Sequence, residues 1–147
     1  MALRATSFRR AEALGSEPFA IVVLDAEQRH IRRKRITLAS GEDVLVDFDK
    51  PVHLEQGDRL VLEDGRTAQV VAAPEELMAV TSRDPRHLVE LAWHIGNRHL
   101  AAEIGADRIL LRRDRIIRAM LEQLGATVTD VTEPFAPAHG AYHAHDH

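Results

Sequence analysis

The chain has 147 residues, of which 45% are hydrophobic, and its formal net charge is −4. This is enough apolar material for one compact domain or two small ones, and no segment approaches the roughly eighteen apolar residues of a membrane-spanning helix. The N-terminus lacks the apolar core of a signal peptide, so we expect a soluble, cytoplasmic protein. The sequence contains no cysteine, which excludes disulfides, thiol catalysis and thiolate metal sites, and its acidic balance argues against a nucleic-acid binder.

The first half of the chain shows short apolar alternations separated by turn residues, from Ile21 to about Val71. Such alternation predicts β-strands, and the Asp64-Gly65 pair between two apolar runs is typical of a hairpin turn. Pro74 follows the last of these strands and marks a boundary. We therefore expect a small all-β domain over residues 1–74.

One segment in this half, residues 29–35, is basic, although the chain as a whole has a net negative charge. It has two interpretations, a patch that binds phosphate or protein and a solvated strand face. The second is favoured because acidic residues dominate elsewhere.

In the second half of the chain, apolar residues recur at the spacing that is typical of helices. Asp84 is placed to cap a helix that begins at Pro85, and Asp114 to cap a second helix that Gly125 ends. Strands are predicted around both helices, at residues 77–80, 98–104, 108–112 and 127–132. The resulting β-α-β-β-α-β order predicts a ferredoxin-like domain over residues 75–135, with an antiparallel sheet and both helices on one face. The whole chain is thus of the α+β class.

The last segment, residues 136–147, has low apolar content and is expected to be a flexible tail. Four of the nine histidines of the chain fall in its last nine residues. His143, His145 and His147 alternate with other residues and suit borderline ions such as Ni²⁺, Cu²⁺ and Zn²⁺. Their interruption by Ala and Asp argues against a purification tag.

His99 is the candidate ligand within the folded part. If a strand begins at Arg98, then Leu100, Ala102 and Ile104 face the helices and His99 stands on the opposite face of the sheet. A single histidine is more often structural than a ligand, so this pattern alone leaves both interpretations open. On the first helix, His87 and His94 are interpreted as a solvated flank, and Trp93 as a packing or interface residue.

The segment His94-Ile95-Gly96-Asn97-Arg98-His99 resembles the Gly-Asn-Arg-His signature of the urease accessory protein UreE family. Other segments resemble that family in the same order, and together they cover the chain from about Ile21. These segments are residues 63–66, 70–75, 112–114, 134–135 and 140–143.

The resemblance implies a nickel metallochaperone that delivers Ni²⁺ during urease metallocentre assembly. It implies a homodimer whose two copies of His99 share the ion, with an N-terminal domain that contacts the accessory GTPase UreG and the urease apoprotein complex. Asn97 and Arg98 would hold the helix-strand junction. Some family members carry further histidines at the start of the second helix, where this chain has residues 113–115 without histidine. Tail histidines His143, His145 and His147 are therefore expected to complete the site, in preference to His139, and Zn²⁺ or Cu²⁺ to bind as well.

An enzyme would need a nucleophile-base pair, a phosphate loop or a closed metal triad, and the sequence shows none of their motifs. The alternative function is a non-catalytic protein- or RNA-binding module whose tail buffers metal. The two hypotheses differ in stoichiometry, because a specific donor holds one tight ion per dimer through His99. A buffer would lose all its metal binding when the tail is removed.

Overall fold

The computed structural model describes residues 3–11 and 17–139. The chain divides into two compact units, residues 1–73 and 74–147. No helix in the described ranges is long and apolar enough to cross a membrane.

The first unit is built almost entirely from strands, as its alternating sequence predicts. Its elements, in chain order, are β1 (Leu3–Arg9), β2 (Ala20–Leu24), the short helix α1 (Ala26–Arg29), β3 (His30–Thr37), β4 (Asp43–His53), β5 (Arg59–Leu62) and β6 (Thr67–Ala72).

The described strands of this unit form one sheet in the order β2-β6-β5-β1-β4-β3. The predicted hairpin is present, with β5 antiparallel to β6 and Gly65 in the left-handed conformation at φ 91°. A cluster of buried, mostly aliphatic side chains forms the core of this unit, with Val44, Val46 and Leu60 fully buried among them. Strand β1, which the sequence analysis did not predict, lies in the middle of the sheet and pairs in parallel with β4.

The basic segment lies mostly on β3, which is an edge strand. Arg29 is buried and donates hydrogen bonds to the carbonyl oxygens of Leu24 and Leu54. Lys34 is exposed although it lies opposite the buried Val46 in the register. A charge on the inner side of an edge strand discourages pairing with another strand, so this part of the segment behaves as a solvated strand edge.

The second unit has the predicted β-α-β-β-α-β order. Its elements are β7 (Pro74–Thr81), α2 (Pro85–Asn97), β8 (Ala102–Ile104), β9 (Ile109–Arg112), α3 (Arg115–Gln123) and β10 (Thr127–Pro134). The strands form an antiparallel sheet in the order β10-β7-β9-β8, which is the ferredoxin-like topology.

Both predicted caps are confirmed. The Asp84 carboxylate accepts a hydrogen bond from the backbone N–H of His87 at 2.8 Å, and the Asp114 carboxylate accepts from Ile116 and Ile117 at 2.9 Å. The helices pack on one face of the sheet, where Leu91, Ile95, Ile117 and Leu121 meet buried strand residues. This packing fixes where each helix ends, and therefore where the residues that follow it stand.

Candidate metal centre

His99 lies in the turn that follows helix α2. The helix continues through Gly96 to Asn97, Arg98 caps it, and His99 comes next. The backbone N–H of His99 donates to the carbonyl oxygen of Gly96 at 3.0 Å, and that of Arg98 donates to Ile95 at 3.1 Å. Asn97, Arg98 and His99 are all exposed. These hydrogen bonds hold the imidazole at the end of a packed helix and in contact with solvent.

The backbone of His99 is left-handed, with φ 56°. Among residues 3–11 and 17–139, it is the only residue other than glycine with a positive φ. The position just beyond a helix normally carries glycine or asparagine, since a β-carbon there costs roughly 1–2 kcal/mol. This backbone conformation makes His99 a candidate for a functional role.

The predicted strand from Arg98 to Ile104 is wrong at its start. Strand β8 begins only at Ala102, so His99 belongs to a turn and not to the outer face of the sheet. Ile104, which was expected to face the helices, is 55% exposed, while Ala102 is buried as predicted. Helix α2 extends to Asn97, and Ile95 near its end is packed on the core.

The end of α2 is electrostatically suited to a cation. The last carbonyl groups of a helix carry a partial negative charge, which stabilises positive charge placed next to them. His99 stands beside these carbonyls. A divalent ion bound to its imidazole would gain from this field.

A short segment that follows β10, residues 135–138, is hydrogen-bonded to two residues of strand β8, and we call it the strap. The side chain of Phe135 is fully buried, and the guanidinium of Arg112 lies 5.0 Å from its ring centre. The backbone N–H of Ala136 donates to the Glu103 carboxylate at 2.8 Å, and that of Ala138 donates to the carbonyl oxygen of Ala102 at 2.8 Å. The strap therefore starts the His-rich tail beside the strand that follows His99, an arrangement that the sequence analysis missed.

An ion pair secures the strand that leads into the strap. Arg108 donates two hydrogen bonds to the carboxylate of Glu133, near the end of β10. These bonds hold the pKa of Glu133 below its usual value of 4.5, and the same contact raises the pKa of Arg108.

The predicted tail ligands His143, His145 and His147 lie outside the described residues. Within residues 3–11 and 17–139, no three side chains of His, Cys, Asp or Glu come together as a metal site. His99 is thus at most part of a coordination shell, and other ligands must come from the tail, a second protomer, a partner or water.

His87 is not part of a solvated flank, as was expected, but a core residue that is 4% exposed. Its Nε2 atom lies 2.7 Å from the carbonyl oxygen of Leu124. His94 remains partly exposed and meets the Trp93 ring edge-on at 5.1 Å. In the first unit, His30 and His53 are opposite each other on β3 and β4, with ring centres 4.0 Å apart.

Helix α2 also carries an apolar row on its exposed side. Val89 is 69% exposed and Trp93 is 64% exposed, one helical turn apart. Gly96 continues this side toward His99, and a β-carbon built on it would have no atom within 4 Å. Exposed large apolar side chains in a row are typical of an interaction surface.

Comparison with known proteins identifies the family. The model described as "UreE urease accessory protein, N-terminal domain" matches residues 5–73, and the corresponding C-terminal domain model matches residues 75–147. Urease accessory protein UreE 1 of Brucella suis is 58% identical, covering 95% of this chain and 86% of the relative. The UreE protein of Brucella anthropi is 56% identical, covering 97% and 86%, and that of Mesorhizobium japonicum is 57% identical, covering 95% and 71%. The chain therefore belongs to the UreE family of urease accessory proteins, which assist urease and are not enzymes themselves.

Proposed function

We propose that this protein is a nickel metallochaperone, which binds Ni²⁺ as cargo and releases it during urease metallocentre assembly. The observation that carries the proposal is His99, an exposed imidazole held in a strained left-handed turn at the negative end of a helix. Imidazole suits Ni²⁺, and also Zn²⁺ and Cu²⁺, so those ions compete for the site in vitro.

The proposed site lies on the two-fold axis of a homodimer. One imidazole leaves most of the coordination positions of a transition metal open, and a two-fold axis beside His99 supplies a second one without any further residue. The row of Val89 and Trp93 lies on helix α2, which ends just before His99, and Gly96 allows a partner backbone to come close. Packing of α2 against its symmetry mate would bury this row and bring the two copies of His99 together.

The proposed roles of the remaining parts follow from this site. His143, His145 and His147 add ligands that exchange readily, because each must be ordered before it binds. Asn97 and Arg98 hold the turn that presents His99. The N-terminal β domain, residues 1–74, docks partners in the cytoplasm, namely the accessory GTPase UreG and the urease apoprotein complex, while residues 75–135 dimerise and bind metal.

Calorimetric titration with Ni²⁺ tests this proposal on four chains, which are the intact chain, His99→Ala, a chain ending at Ala138, and His30→Ala as a control. His30 is an exposed imidazole of the first unit, so its removal should leave Ni²⁺ binding unchanged. We expect His99→Ala to abolish the tightest site, and truncation to keep that site with weaker affinity and fewer ions.

Binding to the intact chain should weaken as the pH falls through roughly 6.5, where free imidazole becomes protonated. The opposite pattern among the titrated variants would overturn the proposal. If His99→Ala keeps tight binding and the truncated chain loses it, the tail is the site and the protein is a metal buffer.

A further inference from the structure

The turn beside His99 is held by backbone hydrogen bonds and not by the side chain of Arg98. The backbone N–H of Arg98 donates to the carbonyl oxygen of Ile95, and that of His99 donates to Gly96. The Arg98 side chain is exposed, and among the described residues it makes no hydrogen bond, ion pair or ring contact. A guanidinium group is therefore available for a ligand next to the proposed metal ligand.

Most other arginines of the second unit form ion pairs with carboxylates. Those with such a pair are Arg83, Arg108, Arg112, Arg113 and Arg118. Arg86 and Arg115 resemble Arg98, since neither has a partner within the described part of the chain. Of these three, Arg98 is the one that directly precedes His99 in the sequence.

The guanidinium of Arg98 has an electrostatic consequence for the metal site. A bound Ni²⁺ and the Arg98 side chain are both positively charged, and adjacent residues have α-carbons only about 3.8 Å apart. Repulsion between exposed charges at short range weakens ion binding by a small factor, on the order of twofold to fivefold. The stability of the helix end does not require arginine here, because lysine or a charged histidine interacts equally well with the helix dipole.

A carboxylate that approaches Arg98 offsets this repulsion. A protein that takes Ni²⁺ from imidazole must offer deprotonated ligands of its own, and carboxylate is one of the groups that bind divalent ions. Carboxylate is also the group that the planar fork of arginine binds through two parallel hydrogen bonds. The chemistry of Arg98 and the chemistry of ion transfer therefore select the same kind of group.

We propose that Arg98 binds an acidic side chain, aspartate or glutamate, of the protein that takes the ion from His99. This inference rests on the proposed function and names a contact for the recipient at that site.

The transfer step is a ligand exchange in which Arg98 holds the incoming group beside the ion. A Ni–O bond to the carboxylate forms and the Ni–N bond to the His99 imidazole breaks, with no change in oxidation state. The imidazole leaves as the neutral ring. Arg98 thus weakens the hold of the free protein on Ni²⁺ and speeds its transfer to an acceptor that carries a carboxylate.

The test measures Ni²⁺ transfer from the loaded, full-length chain to two small chelators by stopped-flow spectroscopy. Nitrilotriacetate is anionic and binds through carboxylates, whereas terpyridine binds through neutral ring nitrogens. We expect Arg98→Ala to lower the ratio of the two transfer rates, nitrilotriacetate over terpyridine, about threefold or more. Arg98→Lys keeps the charge but not the fork, so it should restore only part of the ratio. An unchanged ratio in Arg98→Ala would overturn the inference.

Arg86→Ala is the matched control for these rates. Arg86 is also exposed and has no partner among the described residues, but it lies in the first turn of α2, about 18 Å along the helix from Arg98. Its removal should leave the ratio of the two rates unchanged. Added salt should lower the ratio of the native chain toward that of Arg98→Ala, because salt screens exposed charges. A ratio that does not respond to salt would count against a contact between charges.

The affinity for Ni²⁺ separates this role from a merely structural one. Removing the neighbouring positive charge should tighten Ni²⁺ binding to Arg98→Ala, measured by calorimetry, about twofold to fivefold. Weaker binding to this variant would show that the side chain supports the turn that presents His99, and it would overturn the inference.

Failure of this inference is distinguishable from failure of the proposed function. If His99→Ala abolishes tight Ni²⁺ binding but Arg98→Ala leaves the ratio of transfer rates unchanged, only the role of Arg98 is wrong. If His99→Ala leaves tight binding intact, the proposed function itself fails.

Discussion

The Nε2 atom of His87 lies 2.7 Å from the carbonyl oxygen of Leu124, and this contact ties the first turn of α2 to the end of α3. Leu124 caps α3, so its carbonyl is one of those left without a partner inside the helix. His87 is buried, and its Nδ1 atom has no hydrogen-bond partner among the described residues. A carbonyl oxygen can only accept a hydrogen bond, so Nε2 of His87 is the donor in this contact.

We predict that His87→Ala lowers the free energy of unfolding by about 1–3 kcal/mol, because it leaves the Leu124 carbonyl without this donor and opens a small cavity in the core. Urea unfolding followed by circular dichroism measures this as a lower midpoint. His94→Ala, on the partly exposed side of the same helix, serves as the matched control and should change stability by less than about 0.5 kcal/mol. Equal midpoints for the two variants would refute the structural role of His87.

The ion pair between Arg108 and Glu133 predicts a pH-dependent stability. Because the bonds from Arg108 lower the pKa of Glu133 in the folded state, the unfolded state binds a proton more readily. The stabilisation is therefore complete above the usual pKa of 4.5 and is lost as the pH falls through the lower folded value. We expect Glu133→Gln to be less stable than the native chain at pH 7, and the difference to shrink below about pH 4.5 and disappear in stronger acid.

Thermal unfolding of both chains across this pH range provides the measurement. Glu76→Gln removes one negative charge from β7, where the side chain is 79% exposed and lies 4.0 Å from Arg113, and it controls for net charge. A stability difference that stays constant down to the acid limit would show that Glu133 acts through packing and not through its ionised carboxylate.

Several local features of this fold could be predicted because adjacent residues determine them. The Asp84 cap with Pro85 at the first helical position and the Asp64-Gly65 turn depend on neighbours a few residues away, and the structure confirms both. The burial of His87 was also open to prediction. It lies four residues before Leu91 and eight before Ile95, in the row that faces the core.

Other features depend on contacts between distant parts of the chain, which a single sequence does not reveal. Strand β1 pairs in parallel with β4, more than thirty residues away, and its own alternation is short. Two of the contacts that hold the strap are made by the backbone N–H groups of Ala136 and Ala138, which leave no trace in the residue types. His99 was assigned to a strand because nothing in its side chain marks a left-handed turn, a position that glycine or asparagine usually signals.

The strained turn at His99 predicts a separation of stability from metal binding. Both His99→Gly and His99→Ala remove the imidazole and should lose the tight Ni²⁺ site. Glycine accepts a positive φ while alanine does not, so His99→Gly should be more stable than His99→Ala by about 1 kcal/mol. Thermal unfolding ranks the two variants, and calorimetry with Ni²⁺ checks that both have lost binding. If His99→Ala is the more stable of the two, the left-handed conformation is not present in solution.

The exposed row on α2 gives the most direct test of the dimer. Replacing Trp93 with glutamate would place a charge where the proposed interface is apolar, and a central tryptophan typically contributes about 2 kcal/mol or more to association, roughly a thirtyfold change in dimer affinity. Sedimentation equilibrium over a range of protein concentrations measures that change. Ile116→Glu is the matched control, since Ile116 is also exposed, at 74%, but lies on α3.

The same variant connects dimerisation to metal binding. If two protomers share one ion through His99, then Ni²⁺ binding and dimer formation stabilise each other, and the loss of one weakens the other. We therefore expect the Ni²⁺ affinity of Trp93→Glu to be lower than that of the native chain in dilute protein and to recover as the protein concentration is raised. The Ile116→Glu chain should bind Ni²⁺ with an affinity that does not depend on concentration over the same range. A Trp93→Glu chain that is monomeric yet binds Ni²⁺ as tightly as the native dimer would place the whole site within one protomer.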